Sequence, residues 1–274
     1  MADLGLRLRM LVVGSILAAF YLFVGIVGLT ILGPGSWPLV VVLMLTFPVV
    51  QYKIGTWSAT RGAEEMPETG PYGEIHRATE SLSRDMGIEK PRLLVTRMGV
   101  PNAFATGRRG DGVVVVSEEL VALLDRDELE GVVAHELAHI KNRDVLLMTL
   151  GSSIGMMVGW AVYFVYAFAG DENPGGFLAG YALSVVAQLL VTVFVMAISR
   201  YREYVADADA RRAIGGGEPL ARALEKIARG AEGRESRVDD SVSALCIFNA
   251  DRGLLQTLFA THPPTEKRIE RLRR

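Results

Sequence analysis

His135, Glu136 and His139 stand in the order H-E-x-x-H within "VVAHELAHIKNRD", residues 132–144. Residues four apart share one face of a helix, so the two imidazoles can point at a single ion while Glu136 projects beside it. Imidazole pairs of this kind bind a divalent metal, and a neighbouring carboxylate can carry a proton to and from water. The competing reading is a capped amphipathic helix whose histidines find ordinary partners. Val132, Val133, Ala134, Leu137, Ala138 and Ile140 make this helix apolar on nearly every side, which predicts burial. Two buried histidines and a glutamate need partners, and a metal ion supplies them.

A hydrolytic metal centre takes three protein ligands and keeps one position open. The 274 residues include four histidines, His76, His135, His139 and His262, and one cysteine, Cys246. A thiol-rich site and an intrachain disulfide are therefore excluded. Cys246, within "SALCIF", reads as a small buried residue, and His76 receives no role. No histidine follows His139 at metzincin spacing, so the third ligand is expected to be a carboxylate. "SRYREYVADADARRA", residues 199–213, offers Glu203, Asp207 and Asp209. Glu203 and Asp207 are four apart and share a face. The expected roles are Glu203 as ligand, Asp207 as a carboxylate orienting a ligand histidine, and Asp209 turned to solvent. Salt bridges to Arg200, Arg202 or Arg211 are the alternative use of Glu203 and Asp207. Spacing also leaves open which of these two carboxylates touches the metal.

Half of the residues are apolar and 22% are charged, so the two kinds must be segregated along the chain. Uncharged runs cover 10–33, 37–51, 147–169 and 177–198. The first is long enough to cross about 30 Å of hydrocarbon. The second is shorter and carries Pro38 and Pro48, which alone would fit a re-entrant segment. "GPGSW" and "GDENPGG" join the runs into two membrane hairpins, and neither loop holds Lys or Arg. The cations flank the other ends: Arg7, Arg9, Lys53, Arg61, Lys141, Arg143, Arg200 and Arg202. By the positive-inside rule both termini and the segment between the hairpins are expected in the cytoplasm, in a multi-pass protein of the cell membrane. The competing reading, core helices of a soluble protein, must fit four uncharged runs into one 274-residue core. The net charge of −2 gives a nucleic-acid partner no electrostatic support.

The expected organisation is a membrane hairpin over 1–51, a first catalytic part over 52–146, a second hairpin over 147–198 and a second catalytic part over 199–274. In the first part, "PYGEIHRATESLSRDMGI" has helical periodicity, while "PRLLVTRM", "NAFATGR" and "GVVVVS" read as short strands. "EELVALL" is a short helix. Asp125 and Glu128 predict a capping box at the start of the helix holding His135. "RYREYVADADARRAI", "EPLARALEKIAR" and "PTEKRIERLRR" read as further helices, with 231–261 irregular until "LLQTLFA".

"VPNAFATGR", "HELAHIKNRD", "SRYREYVADADA" and "THPPTEKRI", in that order, resemble the membrane zinc metalloproteases of the heat-shock protease HtpX family, of which the CAAX prenyl endopeptidases are distant members. The resemblance covers nearly the whole chain. It implies a mainly α membrane protein with four transmembrane helices in two hairpins and a cytoplasmic α+β zincin (gluzincin) domain with a small β-sheet. It implies one Zn2+ per chain on His135, His139 and Glu203, with Glu136 as catalytic base and Asp207 as supporting carboxylate. His262 and Arg268 become candidates for stabilising the oxyanion; the plainer readings are a helix cap and a surface charge. A strand beside the metal helix can pair with an extended substrate, which makes Asn102, Ala103 and Phe104 candidate substrate contacts; the plainer reading of "PNAF" is a turn. The implied activity is proteolysis of misfolded membrane proteins or other unfolded polypeptides, in stress response and quality control. Residues 231–253 match the family least and read as a flap over the cleft. A prenyl-protein endopeptidase has the same chemistry, but four spans are few for its membrane chamber. A non-catalytic zinc scaffold or sensor would not need Glu136 between the ligands. A transporter would want charges inside the spans, which carry none; Gln188 is the sizeable polar side chain within them, and Gln51 ends the second run.

Overall fold

The computed structural model describes residues 4–169, 174–231 and 263–274. The chain divides into two compact units, one formed by Met1–Lys53 with Met148–Ile198 and the other by Ile54–Leu147 with Ser199–Arg274.

The first unit is helical. α1 (Leu4–Leu32) and α2 (Trp37–Thr60) are joined by a tight turn, Pro34–Ser36, entered through Gly33 at φ 86°. α2 stays one helix across Pro48 and continues past the 37–51 run to Thr60, with no re-entrant break. Pro48 has no N–H for the Met44 carbonyl, and the Tyr21 hydroxyl of α1 donates to that carbonyl instead. The two helices approach closely where they lack side chains: a Cβ at Gly28 would lie 3.2 Å from Val40. α6 (Asp144–Ala169) and α7 (Pro174–Ala213) make the second pair. Here Gly151, Gly155 and Gly159 form a small-residue stripe on α6, and a Cβ at Gly151 would meet Val195 at 2.8 Å. Small residues let helix backbones pack closely where lipid removes the hydrophobic drive for association. Ile154, Met157, Val158, Val191 and Val195 form the interior of this unit. Leu22, Ile26, Leu45, Leu178 and Leu190 point outward and are exposed, as hydrocarbon-facing side chains would be. Among the described residues three helices, Pro34–Thr60, Asp144–Ala167 and Leu178–Ala213, are long and apolar enough to cross a membrane, and Ala18–Leu32 within α1 is a shorter apolar stretch.

The second unit is built on a four-stranded sheet of order β1-β2-β4-β3: β1 (Glu64–Glu65), β2 (Arg92–Thr96), β3 (Ala103–Arg108) and β4 (Asp111–Ser117). β2 and β4 are parallel, while β1 and β3 run antiparallel to their neighbours. The two-residue strand β1 carries no hydrophobic alternation and went unpredicted. Side chains alternate between two faces, as strand geometry requires. Leu93, Val95, Ala103, Ala105, Val114 and Val116 join the main core, and Leu94, Phe104, Val113 and Val115 form a second layer. α5 (Arg126–Asn142) packs on the main-core face together with α3 (Tyr72–Met86) and α8 (Glu218–Ala231). α4 (Glu118–Leu123) is capped by the Ser117 hydroxyl, which accepts from Leu120 N. The last helix, α9 (Thr265–Arg273), lies against α8.

Candidate metal centre

α5 starts where the sequence places it. The Glu128 carboxylate accepts from the Asp125 backbone N–H at 2.9 Å and completes a capping box. Val132, Val133, Ala134, Leu137, Ala138 and Ile140 are at most 1% exposed, so α5 is buried on nearly all sides. Within its stretch from Gly131 to Ile140 the polar side chains are His135, Glu136 and His139. The distal part of α7 brings Glu203 to these side chains.

The three expected ligands meet. His135 Nε2 and His139 Nε2 are 3.1 Å apart, His135 Nε2 lies 3.5 Å from Glu203 Oε2, and His139 Nε2 lies 3.4 Å from Glu203 Oε1. His135 thus meets one Glu203 oxygen and His139 the other; a tetrahedral ion bound at about 2.0–2.1 Å sets neighbouring donors about 3.4 Å apart, and the three residues lie close enough together to hold one ion. Spacing left open whether Glu203 or Asp207 faces the ion, and Glu203 is the carboxylate next to both Nε2 atoms. Asp207 instead takes the far side of His135, 3.0 Å from its Nδ1.

Charge makes the same point. Glu136, Asp144, Glu203 and Asp207 are all at most 6% exposed, and the buried guanidinium groups beside them are Arg202 and Arg268. Among the described residues, four buried carboxylates against two buried guanidinium groups leave a deficit of two positive charges, which one divalent cation removes. Buried charge without compensation is costly, so the residues present fit a divalent metal. The histidines feel the deficit. Burial alone would lower His139, but the hydrogen bond and charge of Glu203 and the charge of Glu136 hold it above the ordinary histidine value. Burial and the Arg268 charge oppose protonation of His135, and its hydrogen bonds to Asp207 and Glu203 raise it on balance.

Arg268 differs from its plainer reading as a surface charge. It is 1% exposed, because α9 inserts it into the centre. Its Nε and Nη2 donate to the two Asp207 oxygens at 2.9 and 2.7 Å, and Nη1 lies 3.1 Å from Glu203 Oε2. A planar guanidinium suits this fork, which an ammonium could not make. Both Glu203 and Asp207 are in contact with Arg268, a partner that spacing did not suggest. Asp209 is not turned to solvent: it pairs with Arg212 at 2.7 Å and Lys141 at 3.5 Å and accepts from Asn142 Nδ2 at 3.1 Å.

Sequence reasoning missed Asp144 and Arg202. Asp144 Oδ2 is 2.7 Å from His139 Nδ1, and its other oxygen is ion-paired with Arg202. Arg202 also donates to the Asn142 carbonyl at 2.7 Å. The signal was an acid five residues past His139, but an acid opening an apolar helix also reads as a simple cap.

Asn102 is 1% exposed and sits just before β3, where its backbone N–H donates to the Ser117 hydroxyl at 2.9 Å. Ala103 and Phe104 open β3 on opposite faces, Ala103 toward the core that contains α5. "PNAF" therefore leads into a strand and is not only a turn. Among the described residues β3 is the outermost strand on its side of the sheet. His76 Nε2 is 3.0 Å from the Met66 carbonyl, away from the metal set. His262, Cys246 and most of 231–253 lie outside the described residues.

A model of peptidase family M48 matches residues 71–274. The chain belongs to peptidase family M48. Two relatives named "Protease HtpX homolog" extend the match. The M48 chain is 50% identical to that of Halobacterium salinarum, over 96% of this chain and 100% of the relative. It is 42% identical to that of Pyrococcus abyssi, over 99% and 96%. The crystal structure of S. mikatae Ste24p shares the fold with a TM-score of 0.60 at 20% identity; the match takes in 98% of this chain and 66% of that one. This M48 protein is accordingly an HtpX-type protease and a membrane protein, mainly helical with a small mixed sheet, whose His135, His139 and Glu203 can hold a metal ion.

Proposed function

We propose that this M48 protein is a zinc-dependent endopeptidase acting at the cytoplasmic face of the cell membrane on misfolded or damaged membrane proteins. The observation that carries the chemistry is the meeting of His135, His139 and Glu203, whose nearest donor atoms approach to 3.1–3.5 Å, in a buried cluster with two more carboxylates than guanidinium groups among the described residues. The nitrogen-rich donor set suits zinc. Zinc held there supplies Lewis-acid chemistry, polarising an amide carbonyl and making water acidic.

The chain's own residues do the rest. Glu136, adjacent to a ligand on α5 and 3% exposed, accepts a proton from the attacking water and passes it to the leaving amine as the C–N bond breaks. Asp207 fixes the His135 ring so that Nε2 faces inward. Arg268 holds Asp207 and Glu203 together. β3, with Asn102, Ala103 and Phe104 at its start, offers its outer edge to an extended polypeptide; backbone pairing suits unfolded substrates because it reads little sequence. The cytoplasmic assignment is supported by the basic flanks of the apolar runs and the absence of Lys and Arg from "GPGSW" and "GDENPGG".

Glu136→Gln tests the reading in detergent-solubilised protein, with casein and an unfolded membrane protein as substrates. The expected loss is about 10²–10⁴-fold with zinc still bound at one equivalent. A variant that keeps wild-type cleavage overturns the assignment.

A further inference from the structure

Each ligand histidine has a second nitrogen, and each of those faces a different carboxylate. His135 Nδ1 faces Asp207, which Arg268 grips. His139 Nδ1 faces Asp144 at 2.7 Å, and Arg202 is paired with the other Asp144 oxygen. We propose that Asp144, braced by Arg202, is the positioning residue for His139, and that the metal centre is held by two parallel histidine–aspartate–arginine relays. The inference rests on His139 being a metal ligand.

Three independent observations support it. The first is burial: Asp144 is 6% and Arg202 5% exposed, so neither is a solvated surface charge. A buried acid that only capped a helix would not need a buried guanidinium. The second is backbone geometry. Arg143 has φ 57°, the only positive φ at a non-glycine residue among those described. This left-handed residue ends α5 and starts α6 at the next position, which turns Asp144 back toward a histidine five residues earlier. Side chains longer than glycine avoid that conformation unless the surroundings require it, and such strain gathers at functional sites. The third is cross-bracing: Arg202 also holds the Asn142 carbonyl at the end of α5, fixing the turn from the opposite side. An acceptor on Nδ1 fixes the tautomer that leaves the Nε2 lone pair for the metal and makes that nitrogen more basic.

The test uses full-length protein in detergent with zinc alone or cobalt alone, and reads metal affinity by chelator competition. His139→Ala is the reference for the ligand assignment. Asp144→Ala is expected to weaken zinc binding about 10–100-fold. Asp144→Asn, which keeps an acceptor but no charge, should lose less, and Arg202→Met should fall between wild type and Asp144→Ala. Cobalt-loaded Asp144→Ala should show a shifted visible absorption band, because the imidazole is no longer held in one orientation. A purely structural role would lower the melting temperature while the folded fraction keeps wild-type affinity and spectrum. If Asp144→Ala does not fold, the same readings are taken on Asp144→Asn and Arg202→Met. Zinc affinity of all folded variants within about twofold of wild type, beside an impaired His139→Ala, overturns the relay. Unchanged zinc binding in His139→Ala overturns the metal centre itself and is thereby distinguished.

Discussion

Replacing Arg268 by Met separates a residue that holds the centre together from one that only meets the substrate. Arg268, 1% exposed, makes two hydrogen bonds to Asp207, at 2.9 and 2.7 Å, and a contact with Glu203 at 3.1 Å. Removing one member of a buried ion cluster costs about 3–5 kcal/mol, because the remaining charges stay buried without their partner. The unit concerned comprises Ile54–Leu147 and Ser199–Arg274. At about 2–4 °C per kcal/mol for a domain of this size, the zinc-saturated variant should melt about 6–20 °C below wild type. Arg268→Lys keeps a charge but cannot fork across both Asp207 oxygens, and should recover about half of the loss. The assay is thermal unfolding in detergent with zinc in excess, followed by the intrinsic fluorescence of the chain. If Arg268 served only to stabilise an oxyanion, cleavage would vanish while the melting temperature stayed level or rose. A zinc-loaded Arg268→Met protein melting within about 2 °C of wild type would therefore refute the reasoning.

Two further outcomes follow from the same contacts. Stripping the metal with a chelator should lower the melting temperature, and the gap between loaded and stripped protein should widen from about pH 6 to about pH 8.5. Both histidines sit above their ordinary 6.5 in the metal-free centre, so protonation supports that state below 6.5 and the support is lost as pH rises through the raised value; equal gaps at both pH values would contradict this. Arg143→Gly should be neutral to about 1 kcal/mol stabilising with metal affinity retained, since glycine accepts φ 57° without strain, while Arg143→Val should cost more than 1 kcal/mol. A glycine variant that melts below wild type would show that the Arg143 side chain, and not the turn, is what matters.

The parts legible in the sequence were those with a period or a fixed spacing. α3 and β2–β4 sit where their periodicity put them, and α5 begins at its capping box. Helical spacing and the shortage of histidine and cysteine led to His135, His139 and one of Glu203 and Asp207, and the family resemblance pointed to Glu203. β1 stayed hidden because two glutamates on an edge carry no alternating pattern. The partners of the triad stayed hidden for a different reason. The carboxylate row "YREYVADADA" and the arginines around it look alike as symbols, and only tertiary packing decides which are desolvated. Arg268 looks like its neighbours Lys267 and Arg271, yet it alone of the three is buried. Asp207 and Asp209 are two apart and point to different sides of α7, so one enters the metal centre and the other pairs with Lys141 and Arg212.

Charge balance joins these pieces. Each aspartate that braces a histidine brings a negative charge into a dry site, and each is matched by an arginine, Asp207 by Arg268 and Asp144 by Arg202. Those two pairs are neutral. What remains, among the described residues, is the charge of two further buried carboxylates, Glu203 and Glu136, in excess of the two guanidinium charges. A divalent ion between the two histidines balances this pair. Glu203 then contributes charge as a ligand, and Glu136 remains available to take a proton. If an arginine were added to neutralise Glu136, the cluster would be balanced without a second metal charge, and the glutamate would lose the basicity the reaction needs. The two relays thus set the histidines while leaving the local deficit in place, and that deficit both draws in the metal and keeps the base ready.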